Sequence, residues 1–118
     1  APGILARAGV SLSIGLPLGG WSTANQRNLP YHAAHGVAYG LSREKALAAI
    51  TIEPAEVCGV AERLGTLEEG KEATFFSTSG DLLDIRTSVL KMILQGKPVD
   101  LESRHSRLNT RYRNRPRP

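Results

Sequence analysis

The stretch "GTLEEGKEATFF", from Gly65 to Phe76, decides the fold of this chain because it joins a turn-rich segment to a short strand. Glycines at positions 65 and 70 allow abrupt changes of chain direction. The strand is predicted over "ATFFST", residues 73–78, and its alternation places Phe75 and Phe76 on opposite faces. We therefore assign this stretch a structural role and no part in catalysis.

A second strand is predicted downstream over "SVLKMILQG", residues 88–96. We expect it to pair with residues 73–78 as an antiparallel neighbour. The connection between them, "SGDLLDIR" at 79–86, predicts an irregular loop rather than a tight hairpin. The dipeptide "GK" before Pro98 predicts a turn into "PVDL".

Upstream, "VSLSIG" at residues 10–15 alternates apolar and polar side chains, which predicts a short strand. It is followed by a long loop, "LPLGGWSTANQ", at residues 16–26. About fifty residues separate this strand from the later ones, and it has no evident partner in the chain. This orphan strand is a physical indication that part of the fold lies outside these residues.

Helices are predicted in the rest of the chain from their stop and cap residues. The residues "ILARA" at 4–8 are predicted to end a helix that stops at Gly9. Three short helices follow between residues 28 and 59, and Pro30 suits the first turn of the first. Their predicted N-caps are Asn28, Ser42 and Thr51, and the predicted stops of the first and third are Gly40 and Gly59. Asp100 is expected to cap a last helix over residues 101–113, before a Pro/Arg tail.

Length and composition limit the size and the class of the protein. A chain of 118 residues with 41% hydrophobic content is one domain at most. It has no apolar run long enough to span a membrane, and its one cysteine excludes an internal disulfide.

The last fifteen residues hold six Arg and no acid. Residues 1–103 carry nine Lys and Arg against eleven Asp and Glu, a net charge of −2. A small nucleic-acid-binding module would have to depend on the tail alone, so we expect no nucleic-acid partner.

Four motifs in order resemble a known family: "ALAAITIEPAEVCGV", "GTLEEGKEATFF", "GDLLDIRTSV" and "MILQGKPV". Together they look like the C-terminal end of the amidohydrolase superfamily, in its imidazolonepropionase-like branch. The match runs from about Ala8 to Val99, and "VDLESRHSRLNTRYR" further resembles the C-terminal helix of bacterial members. The resemblance implies that the chain is a C-terminal fragment.

The family fold is a (β/α)8 barrel beside a small β-sandwich built from both chain ends. The resemblance therefore implies an α/β fold, comprising the C-terminal part of a TIM-like barrel and the returning strands of a composite β-sandwich. Residues 1–60 would be the end of the barrel, with "VSLSIG" as its eighth strand. Residues 61–100 would return into the sandwich, and residues 101–118 would form the C-terminal helix and basic tail.

The family's chemistry uses a divalent metal to activate a water that attacks a carbonyl carbon. The resemblance implies that the whole protein, of which this chain would be a fragment, hydrolyses a C–N bond in an amide or cyclic amide. Zinc is the expected metal. Its ligands would come mostly from residues absent here, and the fragment alone is expected to be inactive. Pro17 stands where the family has a metal-binding Asp at the end of the eighth strand, and no Asp precedes Asp81. The alternative is a non-catalytic relative that kept the fold and lost this Asp.

The loop after the predicted strand holds the candidate substrate-binding residues Trp21, Arg27 and Asn28, since such loops line the active face of a barrel. An indole and a guanidinium there suit a ring or a carboxylate. The alternative interpretation is that the loop is packed against the fold and that Asn28 serves only as the N-cap of the helix that follows. The expected partners are a small-molecule substrate and the missing N-terminal portion, and a homo-oligomer is left open.

The remaining chemistry-bearing side chains are assigned structural or surface roles. His32 and His35 are three residues apart on one predicted helix, a spacing that also suits two ligands of one metal ion. His105 lies in the Arg-rich last helix, which predicts a solvated face. Cys58 lies at an apolar helix end, where we expect a buried and inert thiol. We therefore predict no catalytic residue and no metal ligand in this chain.

Overall fold

A computed structural model of the chain describes residues 2–116. Helices occupy the first half and a small sheet the second, as the sequence predicts. In chain order the elements are α1 (Pro2–Arg7), α2 (Gly20–Ala24), a 3-10 turn (Gln26–Asn28), α3 (Leu29–Ala38), α4 (Arg43–Ala48), α5 (Ile52–Val57), β1 (Phe75–Thr78), β2 (Val89–Leu94), β3 (Lys97–Pro98) and α6 (Arg104–Arg113). The chain is a mixed α/β structure.

Local capping chemistry fixes the short helices where it was expected to. The Ser42 hydroxyl accepts a hydrogen bond from the Lys45 amide at 3.2 Å and so starts α4. Thr51 is the N-cap residue of α5, although its hydroxyl donates to the Leu47 carbonyl and makes no cap bond. Gly40 and Gly59 follow α3 and α5 as the predicted stops. Both glycines have φ in the left-handed region, +90° and +69°, which ends a helix at low cost.

One of the predicted caps is wrong and another lacks a cap hydrogen bond. Asn28 is the N-cap residue of α3 as predicted, but its side chain makes no cap hydrogen bond, and its amide donates to Asn25. Asp100 does not cap α6; its carboxylate accepts from the Glu102 amide in a local turn. Ser103 caps α6 through a reciprocal pair with Ser106, in which each hydroxyl accepts from the other residue's amide.

The strand predicted over "VSLSIG" is not formed in the described residues. A strand exists through its ladder of backbone hydrogen bonds, and this segment has no neighbouring strand in residues 2–116. The Ile14 amide instead donates to the Ala49 carbonyl at 2.8 Å, at the end of α4. The predicted alternation survives in the packing, since Leu12 and Ile14 both pack against the core whereas Val10 is exposed.

The strands β1 and β2 pair antiparallel as predicted, with Phe75 opposite Ile93 and Phe76 opposite Met92. The following turn lies at Gln95–Gly96 rather than at "GK". Both turn residues have positive φ, 51° and 76°, which is the mirror-image turn that suits the twist of a hairpin. It leads into β3, a two-residue strand on β2 that was not predicted.

The core of the chain is small. Its buried cluster consists of Ala33, Leu41, Ala46 and Leu83. The solvent-accessible surface is 9240 Å², whereas a compact protein of this mass exposes roughly 6200 Å². The radius of gyration is 17.1 Å, against roughly 13.5 Å for a compact domain of this length. The chain is thus elongated, with extents of 62 × 35 × 30 Å, and leaves much apolar surface uncovered. Over residues 2–116, no helix combines the length and apolar character needed to cross a membrane.

Candidate functional site

The predicted substrate-binding residues lie on the short helical segment formed by α2 and the 3-10 turn. The segment starts at Gly19, whose carbonyl accepts from both the amide and the hydroxyl of Thr23. The Asn25 amide then donates to the Trp21 carbonyl at 3.0 Å, and the Asn28 amide donates to the Asn25 side-chain oxygen at 3.3 Å. These side-chain hydrogen bonds connect α2 to the 3-10 turn.

The three candidates therefore have different roles in the segment. Asn28 is half-buried and bonded to Asn25, so its amide maintains the loop. Trp21 presents its indole to solvent, with 89% of the residue exposed. Arg27 is also exposed and makes no ion pair with the described residues. The structure thus makes Trp21 and Arg27 accessible to a ligand, and substrate contact by these residues stays a prediction.

The segment that should end in a metal-binding carboxylate carries none. Pro17 is exposed in the stretch before α2, which has no regular secondary structure. The nearest acid to this stretch in the hydrogen-bond network is Glu53, which accepts from the Ser11 hydroxyl and lies 3.8 Å from the Lys45 ammonium. These partners hold Glu53 at the junction of α4 and α5.

The histidines do not converge on a metal site. His32 and His35 are both exposed on α3, and the His35 ring meets Tyr39 edge-to-face with centroids 5.0 Å apart. His105 is exposed on α6, as predicted. Across residues 2–116, no group of three or more His, Cys, Asp or Glu side chains is arranged to hold an ion. The described residues therefore do not by themselves form a site for the divalent metal that the family resemblance implies.

Cys58 corrects a further expectation. It follows α5 as its C-cap and is exposed rather than buried. Among the residues of α5 only Ala55 is buried, so the helix end has no surface within the described chain to cover it.

Sequence reasoning missed an apolar groove of about 490 Å³ that lies beside residues 65–76. One wall is the turn from Leu64 to Leu67 and the other is the β1–β2 hairpin. Its lining residues are Thr51, Leu64, Gly65, Thr66, Leu67, Glu72, Thr74, Phe75, Phe76, Met92, Ile93 and Leu94. In the sequence, only the apolar residues Leu64 and Leu67 could have indicated this groove. The fold is needed to show that they face the β1–β2 hairpin.

Glu72 supplies the carboxylate at the rim of this groove. A hydrogen bond from the Arg63 guanidinium, with a second from Thr74, lowers the pKa of the Glu72 carboxyl below its ordinary value. The ionised carboxylate is therefore held by its neighbours rather than poised to exchange a proton. This arrangement suits a fixed turn and not an acid or base.

A second groove, of about 400 Å³, lies between α3 and the loop after β1. Arg43 and Asp81 form an ion pair across it. Asp84 lies beside them, and its hydrogen bonds from Arg86 lower the pKa of the carboxyl to about 2. Both acids in this groove are thus matched by guanidinium groups, so the groove presents paired charges.

Comparison with known proteins identifies the class. Residues 8–102 match the amidohydrolase family, so the chain belongs to that family. It is 31% identical over 88 residues to the amidohydrolase tasK of Hapsidospora irregularis, a match that covers 70% of this chain and 9% of tasK. The structure is similar to the crystal structure of an amidohydrolase from Thermotoga maritima MSB8, with a TM-score of 0.74 and 26% identity. That match covers 81% of this chain and 24% of the solved chain, so these residues span less than a quarter of its length.

Proposed function

We propose that these residues form the C-terminal portion of a metal-dependent amidohydrolase of the imidazolonepropionase-like branch. In this proposal, they supply the end of a (β/α)8 barrel and the returning strands of a composite β-sandwich. The family match over residues 8–102 carries the proposal. Support also comes from the order of elements, in which packed short helices precede an antiparallel hairpin, and from the large uncovered surface.

The reaction we propose for the whole protein is hydrolysis of a non-peptide C–N bond in an amide or cyclic amide. In such enzymes a divalent metal, here zinc by expectation, lowers the pKa of a bound water. As in the sequence-based expectation, we assign this chain no metal ligand and no catalytic residue, because Pro17 stands where the family has its metal-binding Asp. Residues outside the 118 would hold the ion.

The role we propose for this chain in the reaction is substrate contact from the loop before α3. Trp21 and Arg27 are exposed there, and Asn25 and Asn28 hold the loop shape beneath them. An exposed indole offers a face to a ring, and a guanidinium pairs with a carboxylate. We therefore expect these side chains to affect substrate affinity more than turnover.

The test uses the complete protein, expressed from its whole gene, with a panel of amides and cyclic amides. We expect hydrolysis that disappears with a chelator and returns with zinc, and an in-frame His-x-His motif upstream of these residues. The 118-residue chain with zinc should show no turnover above buffer. A complete protein that binds zinc but hydrolyses no member of the panel would instead support a non-catalytic relative, consistent with Pro17.

The loop is tested in the same assay. Trp21→Ala and Arg27→Gln should each raise KM about tenfold or more with a smaller effect on kcat, because they remove contacts to bound substrate. The matched control is Leu18→Ala, which also removes an exposed apolar side chain of this loop, 96% exposed. Equal kinetics for all three variants would show that the loop does not contact substrate.

A further inference from the structure

The last helix, α6, carries a row of arginines on one face. Arg104, Arg107 and Arg111 are spaced three and four residues apart, so they lie on the same side of the helix. At a rise of about 1.5 Å per residue, the row is about 10 Å long. The helix contains no acidic residue that would neutralise it.

The geometry of this row is fixed by local bonds. The reciprocal hydrogen bonds of Ser103 and Ser106 start the helix, and the Thr110 hydroxyl bonds back to the Ser106 carbonyl at 3.1 Å. Beyond the helix end, the guanidinium of Arg115 lies over the Tyr112 ring at 4.6 Å. The basic segment is therefore an ordered helix rather than a featureless tail.

The arginines of α6 form no ion pair in the part of the chain that the structure describes, although Asp100 and Glu102 shortly precede the helix. All five ion pairs there join residues between Arg43 and Arg86. The arginines of α6 are exposed, and of its side chains only Leu108 is even half-buried. The match to the amidohydrolase family ends at residue 102, before α6 begins at Arg104. The arginine row therefore lies outside the residues that the family model matches.

We propose that the arginine row of α6 binds the phosphodiester backbone of a nucleic acid without reading its sequence. A nucleic acid presents regularly spaced negative charges along each strand, about one per 3.4 Å of helix axis. The row, about 10 Å long, spans roughly three such intervals. Arginine donates in a fixed fork that suits phosphate oxygens. This proposal departs from the sequence-based expectation of no nucleic-acid partner, which was drawn from the confinement of the basic charge to the tail and from the low aromatic content of 5%.

Two other anionic partners fit the row less well. An anionic membrane surface requires an apolar face opposite the charges, and α6 offers only Leu108 and Tyr112. An acidic protein would need carboxylates in a matching line, which proteins present less regularly than a phosphate backbone does. Both remain as outcomes of the experiment.

The experiment measures binding of the complete protein, expressed from its whole gene, to fluorescently labelled 20-base-pair DNA and RNA duplexes by anisotropy, between 50 and 200 mM salt. The test variant is Arg104→Gln/Arg107→Gln/Arg111→Gln. The control variant is Arg7→Gln/Lys91→Gln/Lys97→Gln, which removes the same charge from positions elsewhere in the chain. Circular dichroism verifies that both variants keep the helix content of the parent.

We expect the test variant to bind at least tenfold more weakly and to lower the salt slope by about 3, one unit for each phosphate that is no longer neutralised. The control should bind within twofold of the parent. Equal weakening of both variants would overturn the proposal, because it would indicate attraction by net charge alone. Tighter binding to phosphatidylserine vesicles or to poly-L-glutamate than to either duplex would also overturn it. The relative affinity for DNA and RNA identifies which nucleic acid the row prefers.

Discussion

Arg63 and Glu72 are joined twice, once through their backbones and once through their side chains. The Glu72 amide donates to the Arg63 carbonyl at 2.9 Å, and the Arg63 guanidinium donates to the Glu72 carboxylate at 2.9 Å. Together these bonds close the loop that contains both glycines of "GTLEEG". The loop is a fixed structural element, so the backbone conformations of its glycines matter to stability.

The first prediction concerns those glycines. Gly65 has φ +99°, and a Cβ atom there would lie 2.9 Å from the Ile52 Cα and 3.0 Å from the Ala55 Cβ, both in α5. Gly65→Ala should therefore cost about 2–5 kcal/mol, from backbone strain together with overpacking. The matched control is Gly70→Ala, where φ is +87° but the space is open, so only the strain of about 1–2 kcal/mol applies.

Chemical denaturation of the complete protein, followed by circular dichroism, measures this difference. The midpoints should fall in the order wild type, Gly70→Ala, Gly65→Ala. Equal midpoints for the two variants would show that the turn does not pack against α5, and would contradict the structural role assigned to residues 65–76.

How far the sequence predicts this fold depends on whether a feature is local. The start of α4 at Ser42 and the stops at Gly40 and Gly59 follow from groups a few residues apart, and they were predicted correctly. The pairing of β1 with β2 was also predictable, because both strands lie within about twenty residues and show a strand pattern. The two-residue strand β3 was missed because a turn at Gln95–Gly96 requires positive φ at Gln95, which is uncommon for glutamine.

Features that depend on a partner surface were predicted poorly. The alternation in "VSLSIG" identified Leu12 and Ile14 as inward-facing, but no pattern within a segment shows whether a second strand will pair with it. Cys58 was expected to be buried because its neighbours are apolar, yet burial also requires something to cover that helix end. At the candidate site, residue types indicated Trp21, Arg27 and Asn28. The sequence did not show that their roles differ. In the structure, the hydrogen bond to Asn25 gives Asn28 a role in the loop, whereas Trp21 and Arg27 are exposed.

The second prediction tests the small core. Leu41 is 3% exposed and packs in the buried cluster with Ala33 and Ala46. Leu41→Ala should destabilise the fold by about 2–5 kcal/mol, since it removes buried methyl groups and leaves a cavity. Leu18→Ala makes the same chemical change at a residue 96% exposed and should change the free energy of unfolding by less than about 0.5 kcal/mol. Urea denaturation of both variants in the complete protein provides the comparison, and similar destabilisation by both would contradict the location of the core.

The third prediction concerns pH. The hydrogen bonds from Arg86 lower the pKa of Asp84 from 3.8 to about 2. A carboxyl with a lowered pKa in the folded state stabilises it above the unfolded value, and that contribution is lost as pH falls from about 4 towards 2. The pair is solvent-exposed, so the effect on stability should be small. Nuclear magnetic resonance titration should show the Asp84 carboxyl titrating near pH 2, and Arg86→Gln should move its midpoint up towards 3.8. A midpoint near 3.8 in the unmodified chain would contradict the Asp84–Arg86 contact.

The last prediction concerns the behaviour of the 118 residues alone. Leu47 and Val57 on the short helices are 36% and 76% exposed, although Ile50 between them packs against the core. The edge of β1 that faces away from β2 is unpaired within the described chain. Uncovered apolar faces and a free strand edge both favour association, and the arginines of the tail raise solubility without covering either.

We therefore expect the isolated chain to be marginally stable and to self-associate, and to be rescued by co-expression with the remainder of the proposed hydrolase. Sedimentation velocity at several concentrations should show the average mass rising with concentration, and the thermal melt should be broad. Co-expression should give a single soluble complex with a sharp transition. A monodisperse monomer with a cooperative melt at ordinary mesophilic temperature would contradict the prediction, because a core as small as this cluster would then suffice on its own.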